Sequence, residues 1–428
     1  MENTAAVLSI GDELMLGQVS ERNAPWIANA LLPLGLMVRE FRTVPDNEAE
    51  IARAIVELAA HAGVVVCTGG LGPTDDDLTR QALARALGGV PLCVDEEALS
   101  FLEQRFAARG MEMPEINARQ ALCPRGATLI ANRLGTAPGI AASVNGSDVF
   151  CLPGPPNEMK AMVEESVLPR LTSGARAAVR TLAIHSCGLS ESLAATRLGA
   201  LMDRSANPLV GTTASAAIVS ARVRGWGAGA SDAAMDAAAS HIAKAWGPYV
   251  FGRGEETLAH SLGRALLDRA EKIAVAESCT GGEIGSFLTS APGSSQWFVG
   301  GVIAYANSVK ESALGVPSAL IEAHGAVSGE VACAMAQGAA ERCGARFGLS
   351  TTGIAGPDGG TPTKPVGTVW IGFVDREVPE SAQQGMARAF LIPGGRAEVR
   401  RRTTALAVQL ARLSILGHGD LPLLWETR

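Results

Sequence analysis

Short apolar runs recur along this chain with amphipathic stretches between them, and that alternation restricts its fold more than any other feature. Near the N-terminus "AAVLSIG" and "MVREFRTV" read as strands, and "VVVC" reads as a buried one. Between and after them, "NAPWIANALLPLG", "NEAEIARAIVELAAHAG" and "DDLTRQALARALGG" carry helical periodicity. In the first of these Asn23 is placed as an N-cap, Pro25 falls in the first turn and Gly35 is a stop. Strands each followed by a helix rejoin one sheet in parallel, so residues 1–171 predict an α/β domain. Composition agrees: 49 glycines and only 4% aromatic residues suit Ala/Val/Gly-rich layers better than a β-sandwich.

At 428 residues the chain exceeds one ordinary domain. The pattern changes at about Thr172. Over 172–255 the strand-like "VRTLAIHS" and "AIVSARVRG", with helices at Ser190–Met202 and Asp232–Trp246, predict a small α+β unit. "RGWGAGASD" reads as a loop inside it, and nothing there gathers reactive groups, which suits a spacer or interface module. Residues 256–428 return to α/β. "TLAHSLGRALLDRAE", "SGEVACAMAQGAAERCG" and "AEVRRRTTALAVQLARLSI" are helical, while "FVGGVIAYA" and "TVWIGFV" are strand-like.

The formal net charge of −7 argues against a dedicated nucleic-acid binder. Phosphorylated substrates would therefore need local arginines, backbone amides or a metal. The eight cysteines form no CxxC, so neither a zinc site nor a disulfide framework follows. "MENTAAVLSIGDEL" lacks a basic region followed by an apolar one, and no run approaches the roughly 20 apolar residues of a membrane span. The expectation is a cytoplasmic protein with reduced thiols.

Chemistry concentrates in "KIAVAESCTGGEIGSFLTSAPGSS" (272–295), where a buried strand breaks into small polar residues before a helix. Such turns lie at the C-terminal edge of a sheet, where α/β sites form. The amides of Thr280, Gly281 and Gly282 are placed to hold an oxyanion, and Ser278 sits like a nucleophile, although the GxSxG signature is absent. A serine needs a base. His260, His324 and His418 lie in no polar constellation, whereas "GGVIAYANSVKESALG" offers Lys310 with Tyr305 beside it. Cys279 is a rival nucleophile. The same residues serve equally as helix caps and a solvated lysine.

Those segments, with "HGAVSGEVACAMAQGA" and "TTGIAGPDGGTPTKPVGTVWIGF", resemble the C-terminal domain of the CinA family, the nicotinamide-nucleotide amidases. The resemblance implies conversion of nicotinamide mononucleotide to nicotinic acid mononucleotide and ammonia, with no metal. It makes Ser278 the nucleophile and Lys310 its base, and puts Tyr305, Thr352 and Ser295 around the reacting amide. It also puts Arg396 near the nucleotide phosphate. Where the family reads Gly-Asp-Arg this chain has Gly395 before Arg396, which bears on how the arginine is held.

In "VVVCTGGLGPTDDDLTR" (64–80) a strand feeds a glycine loop, and three carboxylates are expected to open the next helix. Gly69, Gly70 and Gly72 admit a bulky anion closely, and Asp75, Asp76 and Asp77 suit a divalent cation between anion and chain. They also suit a helix macrodipole. With "IGDELMLGQVSERN", "VPDN", "NARQALCPRGATLIANRLGTAPGI" and "LPGPPNEMK", the stretch resembles the CinA N-terminal domain, similar in its three-layer fold to molybdopterin-binding proteins of the MogA/MoaB type. The resemblance implies a Mg²⁺-, Mn²⁺- or Co²⁺-dependent ADP-ribose pyrophosphatase with Asp77 and Asp46 functional. Asn23, Gly135, Thr136, Pro153 and Gly154 would line its nucleotide pocket. It further implies a KH-type middle domain without an RNA clamp, and a homodimer. Two alternatives stand beside it: molybdenum-cofactor chemistry in the first domain, and a non-catalytic nucleotide-sensing protein of competence or DNA damage.

Overall fold

In a computed structural model, residues 4–172, 179–378 and 385–427 are described. The chain forms two compact units, Met1–Arg180 and Thr181–Arg428. Among the described residues no helix is long and apolar enough to cross a membrane.

The first unit is built on a six-stranded sheet in the order Met37–Val44, Thr4–Ile10, Val64–Thr68, Ser147–Leu152, Gly139–Val144, Thr128–Ile130. The first four strands run parallel and the last two antiparallel. Successive residues of the central strands enter different cores. Leu8, Val65 and Cys67 pack with Ile51, Ile55 and Leu58 of helix Glu48–Ala59. Val7, Val64 and Val66 pack with Ile27 and Leu31 of helix Asn23–Leu31 and with Met159. A sheet covered on both faces needs continuous apolar strands, which is why the alternation of a half-exposed strand is missing here. Two expectations change. Asn23 is the first residue of its helix rather than the cap, and the Glu21 carboxylate accepts from the amides of Asn23 and Ala24 instead. The helix after the glycine loop starts at Thr79, so the three aspartates precede it rather than open its first turn.

The second unit holds two sheets. A four-stranded one runs Leu209–Ser215, Ile218–Trp226, Val179–Cys187, Val250–Arg253, with helices Glu191–Leu198 and Asp232–Trp246. A six-stranded one runs Phe298–Ile303, Ile273–Glu277, Phe347–Gly353, Thr368–Asp375, Gly385–Leu391, Glu426–Thr427. In it Ile273–Glu277 is parallel to both neighbours, and the strands after Phe347–Gly353 are antiparallel. Helices Leu258–Leu267 and Arg396–Ile415 cover one face through Leu262, Leu406 and Leu410. Helix Gly329–Cys343 covers the other through Val331 and Met335. The middle block shares the first of these cores, Trp246 and Ile242 included. Buried Arg412 fastens the two: its guanidinium donates to Ser261 Oγ at 2.8 Å, Pro248 O at 3.0 Å and Val250 O at 2.7 Å. "RGWGAGASD" contains the short 3₁₀ turn Gly227–Ala230.

Each six-stranded sheet places two parallel neighbours side by side whose chain paths leave in opposite directions. These are Thr4–Ile10 with Val64–Thr68, and Ile273–Glu277 with Phe347–Gly353. The carboxyl ends of such strands flank a crevice. Both candidate sites lie there.

Candidate active sites

In the second unit the strand Ile273–Glu277 ends on a buried carboxylate. Glu277 accepts from the amides of Gly282 at 2.9 Å, Ile284 at 3.0 Å and Gly285 at 2.8 Å, and so fixes the start of helix Glu283–Thr289. This is the helix cap that Ser278 and Thr280 were otherwise candidates to supply. The Gly281 amide donates to Ser278 O at 3.2 Å. Gly281 and Gly282 are therefore not available to an oxyanion, contrary to expectation. Thr280 is also structural in its side chain, with Oγ1 2.8 Å from Thr351 Oγ1, and its carbonyl accepts from Arg400. The amides of Cys279 and Thr280 donate to no other residue among those described.

The Ser278 side chain is thereby left free of capping, and its Oγ lies 3.2 Å from Lys310 Nζ. Lys310, on helix Asn307–Leu314, is 1% exposed. Its nitrogen also donates to Ala304 O at 2.8 Å and Tyr305 O at 3.1 Å, and no carboxylate among the described residues pairs with it. Burial lowers its pKa below the ordinary lysine range, with the Cys279 thiol acting weakly the other way. A neutral amine has two N–H groups and one lone pair. As an ammonium Lys310 donates its third N–H to Ser278 Oγ; as a neutral amine its two hydrogens would go to the carbonyls, which can only accept, and its lone pair would be left for the serine hydroxyl. The solvated-lysine alternative is excluded by this burial. Burial also pushes the Cys279 thiol up to about 12, so the rival nucleophile holds its proton at neutral pH.

Ser278 and Lys310 open into a pocket of about 210 Å³ lined also by Tyr305, Asn307, Thr352 and Arg396. Thr352 at the end of Phe347–Gly353 donates to Ala326 O at 2.7 Å, which leaves its lone pairs toward the cavity. Arg396 donates to Gly356 O at 2.9 Å and to the Tyr305 hydroxyl at 3.1 Å. Residue 395 takes no part in holding it, and open space surrounds the position where a Gly395 Cβ would stand. Ser295 is not brought to the site: it is exposed in the turn Ser294–Gln296, outside the pocket lining.

The first unit carries a pocket of about 770 Å³. Gly69, Gly70, Gly72, Asp46, Asn23, Thr136, Pro153 and Gly154 all line it, as expected, together with Asp76 and Asp77. Asn23 reaches Thr68 Oγ1 at 3.0 Å and Gly154 O at 2.8 Å, bracing two strand ends. Gly69 has φ +110°, and a Cβ there would stand 2.2 Å from Ile10 O, so no other residue fits. Gly135 lies behind the lining, its amide donating to Asn132 Oδ1.

The acidic triplet does not act together. Asp75 pairs with Arg119 at 2.8 Å outside the pocket. Asp77 is a loop brace whose carboxylate accepts from Gly72 N at 2.7 Å and Thr74 N at 2.8 Å. Behind it buried Arg80 donates to the carbonyls of Leu71 and Gly72. Asp76, hydrogen-bonded by Thr74, lines the pocket beside Asp46. Burial raises the Asp46 pKa, and the charges of Asp12, Glu13 and Asp76 raise it further against the Asp12 amide it accepts. Among the described residues no three His, Cys, Asp or Glu side chains form a metal cluster. The donor set that fits an oxygen-seeking cation is Asp46 with Asp76, since such ions take one or two carboxylates and complete their shell with water and substrate phosphates. The amides of Gly70 and Leu71 line the pocket and donate to no described residue.

Other lining residues sit inside the family-like segments without a role that residue type alone assigns. Gln120 and Glu158 enter the first pocket from distant segments, and Asn307 enters the second. The middle block lines neither.

Residues 6–173 match the family model of a probable molybdopterin binding domain, 181–252 that of the damage-inducible protein CinA KH domain, and 255–415 that of the CinA C-terminal domain. A CinA-like protein of Gemmatimonas aurantiaca is 41% identical over 432 residues, covering 99% of each chain. A putative competence-damage inducible protein of Symbiobacterium thermophilum is 39% identical over 430 residues, covering 97% of this chain and all of that one. The solved structure of a CinA protein from Thermoplasma acidophilum is 33% identical, covers 40% of this chain and 98% of its own, and superposes with a TM-score of 0.37.

Proposed function

The chain belongs to the CinA family, and from that premise we propose that it is a hydrolase of pyridine-nucleotide recycling with two independent sites. In the second unit it hydrolyses nicotinamide mononucleotide. Ser278 Oγ attacks the carboxamide carbon while Lys310 takes its proton, giving a tetrahedral intermediate. The amides of Cys279 and Thr280 are the donors for its oxygen. Lys310 returns the proton to the leaving nitrogen, the C–N bond breaks, and ammonia departs to leave an ester on Ser278. Water, deprotonated by the same amine, then releases nicotinic acid mononucleotide. Thr352 and Tyr305 border the carboxamide, and Arg396 receives the phosphate. No carboxylate lines this pocket, which supports an anionic substrate.

The observation that carries this reading is the 3.2 Å approach of a buried, unpaired amine to a serine hydroxyl. Its test is Ser278→Ala in the full chain. Ammonia release from nicotinamide mononucleotide should fall by a factor on the order of 10⁴ or more. If the variant keeps wild-type turnover, the reading fails. If the wild type itself releases no ammonia, the non-catalytic nucleotide-sensing alternative replaces it.

In the first unit the proposed reaction is hydrolysis of ADP-ribose to AMP and ribose 5-phosphate. The free amides of Gly70 and Leu71 suit a diphosphate, and Asp46 with Asp76 would hold a divalent cation against it. When bound, that cation supplies charge neutralisation and Lewis acidity at the diphosphate. Molybdenum-cofactor chemistry is the second reading here, favoured by the family description of residues 6–173. Consumption of molybdopterin with ATP while ADP-ribose stays intact would select it.

A further inference from the structure

Gln120 belongs to the short helical turn Glu115–Ala121, in a segment that the proposed chemistry does not use. Arg119 ties that turn to the glycine loop, donating to Thr74 O at 3.1 Å and Asp75 Oδ1 at 2.8 Å. Gln120 is 1% exposed, yet it lines the large pocket with Gly70, Leu71 and Asp76. Its Oε1 accepts from Asn117 Nδ2 at 3.1 Å. Its Nε2 has no hydrogen bond to a protein atom among the described residues, and it lies on the pocket side of this buried residue.

In this orientation the carboxamide presents its donors to the pocket. Asn117 occupies the oxygen, and the N–H groups are left for an acceptor that the pocket must receive from outside. Six carboxylates line this cavity against one arginine, Arg22. An acidic wall that must also hold an anion gains from donors that carry no charge, because they grip an oxygen without competing for the cation between anion and wall. Gly70 and Leu71 supply two such donors from the backbone, and Gln120 supplies the side-chain one.

We infer that Gln120 is a substrate-binding residue of the first unit, donating from Nε2 to a phosphoryl oxygen of a diphosphate ligand. The inference rests on the diphosphate reading of that pocket.

The test is calorimetric titration of the full chain, with Mg²⁺ present, by inorganic pyrophosphate and by ADP-ribose. Gln120→Ala removes the donor, and both probes should bind about tenfold more weakly. Gln120→Glu keeps the shape but sets a carboxylate against the phosphoryl oxygen. It should bind more weakly than Gln120→Ala, with an unfolding midpoint unchanged. That order separates contact from support, since repulsion arises only if residue 120 faces the anion. If Gln120→Glu does not fold, the Gln120→Ala titration decides alone. Binding within twofold of wild type in the folded variants overturns the inference. A wild type that binds either probe but never hydrolyses ADP-ribose would remove the pyrophosphatase reading, and the affinity ratios would still decide the role of Gln120. A wild type that binds neither probe overturns both.

Discussion

Lys310 is the residue on which the proposed amidase chemistry turns, because only its neutral form could accept the Ser278 proton. Burial lowers its pKa, so the neutral form is reached at lower pH than for an exposed lysine. Rate should therefore rise with pH and level off below the ordinary lysine range. A kcat/KM profile for nicotinamide mononucleotide that keeps climbing through that range would contradict this. The same shift has a stability consequence. The folded state binds fewer protons than the unfolded one between the lowered and the ordinary value, so stability rises with pH across that window. Lys310→Met keeps the aliphatic stem and should cost about 10²–10⁴ in kcat while leaving the unfolding midpoint near wild type. The pair Ser278 and Lys310 was legible from residue types and from family resemblance. The Gln120 amide was not, because an isolated glutamine acquires meaning only from what Asn117 takes and the pocket leaves.

At the scale of elements, both sites depend on a carboxylate spent on shaping a turn. Glu277 gathers three amides and so frees Ser278 from capping duty. A charged hydrogen bond contributes about 1.5–3 kcal/mol, and three that share one carboxylate do not add in full, because water replaces part of them when it is removed. Glu277→Ala should destabilise the chain by about 2–4 kcal/mol, read by denaturant unfolding. An unchanged midpoint would refute the role. The strand–turn–helix order around both sites could be read from apolar runs and glycines. The assignment of individual amides could not. Nothing in "ESCTGG" distinguishes an amide aimed at Glu277 from one aimed at a substrate, and "TDDD" does not reveal that Asp77 folds back on Gly72 while Asp75 turns to Arg119. Carboxylates close in sequence diverged because a tight turn points successive side chains apart.

At the scale of the whole molecule, one topological device serves two electrostatic opposites. The first pocket is lined by six carboxylates and one arginine, the second by Lys310, Arg396 and no carboxylate. The first therefore suits an anion only with a cation between, and the second suits an anion directly. A chelator should suppress ADP-ribose hydrolysis and leave ammonia release within about twofold, assayed on one preparation. Parallel loss of both activities would contradict the separation of sites.

The most direct measurement is mass spectrometry of the acylated chain after rapid acid quench of the reaction with nicotinamide mononucleotide. The predicted result is one acyl group esterified to Ser278, with the mass of the substrate less ammonia, the nicotinoyl ring still carrying its ribose phosphate. The contrary result is an acyl group on Cys279, or full turnover by Ser278→Ala with no acylated peptide at all.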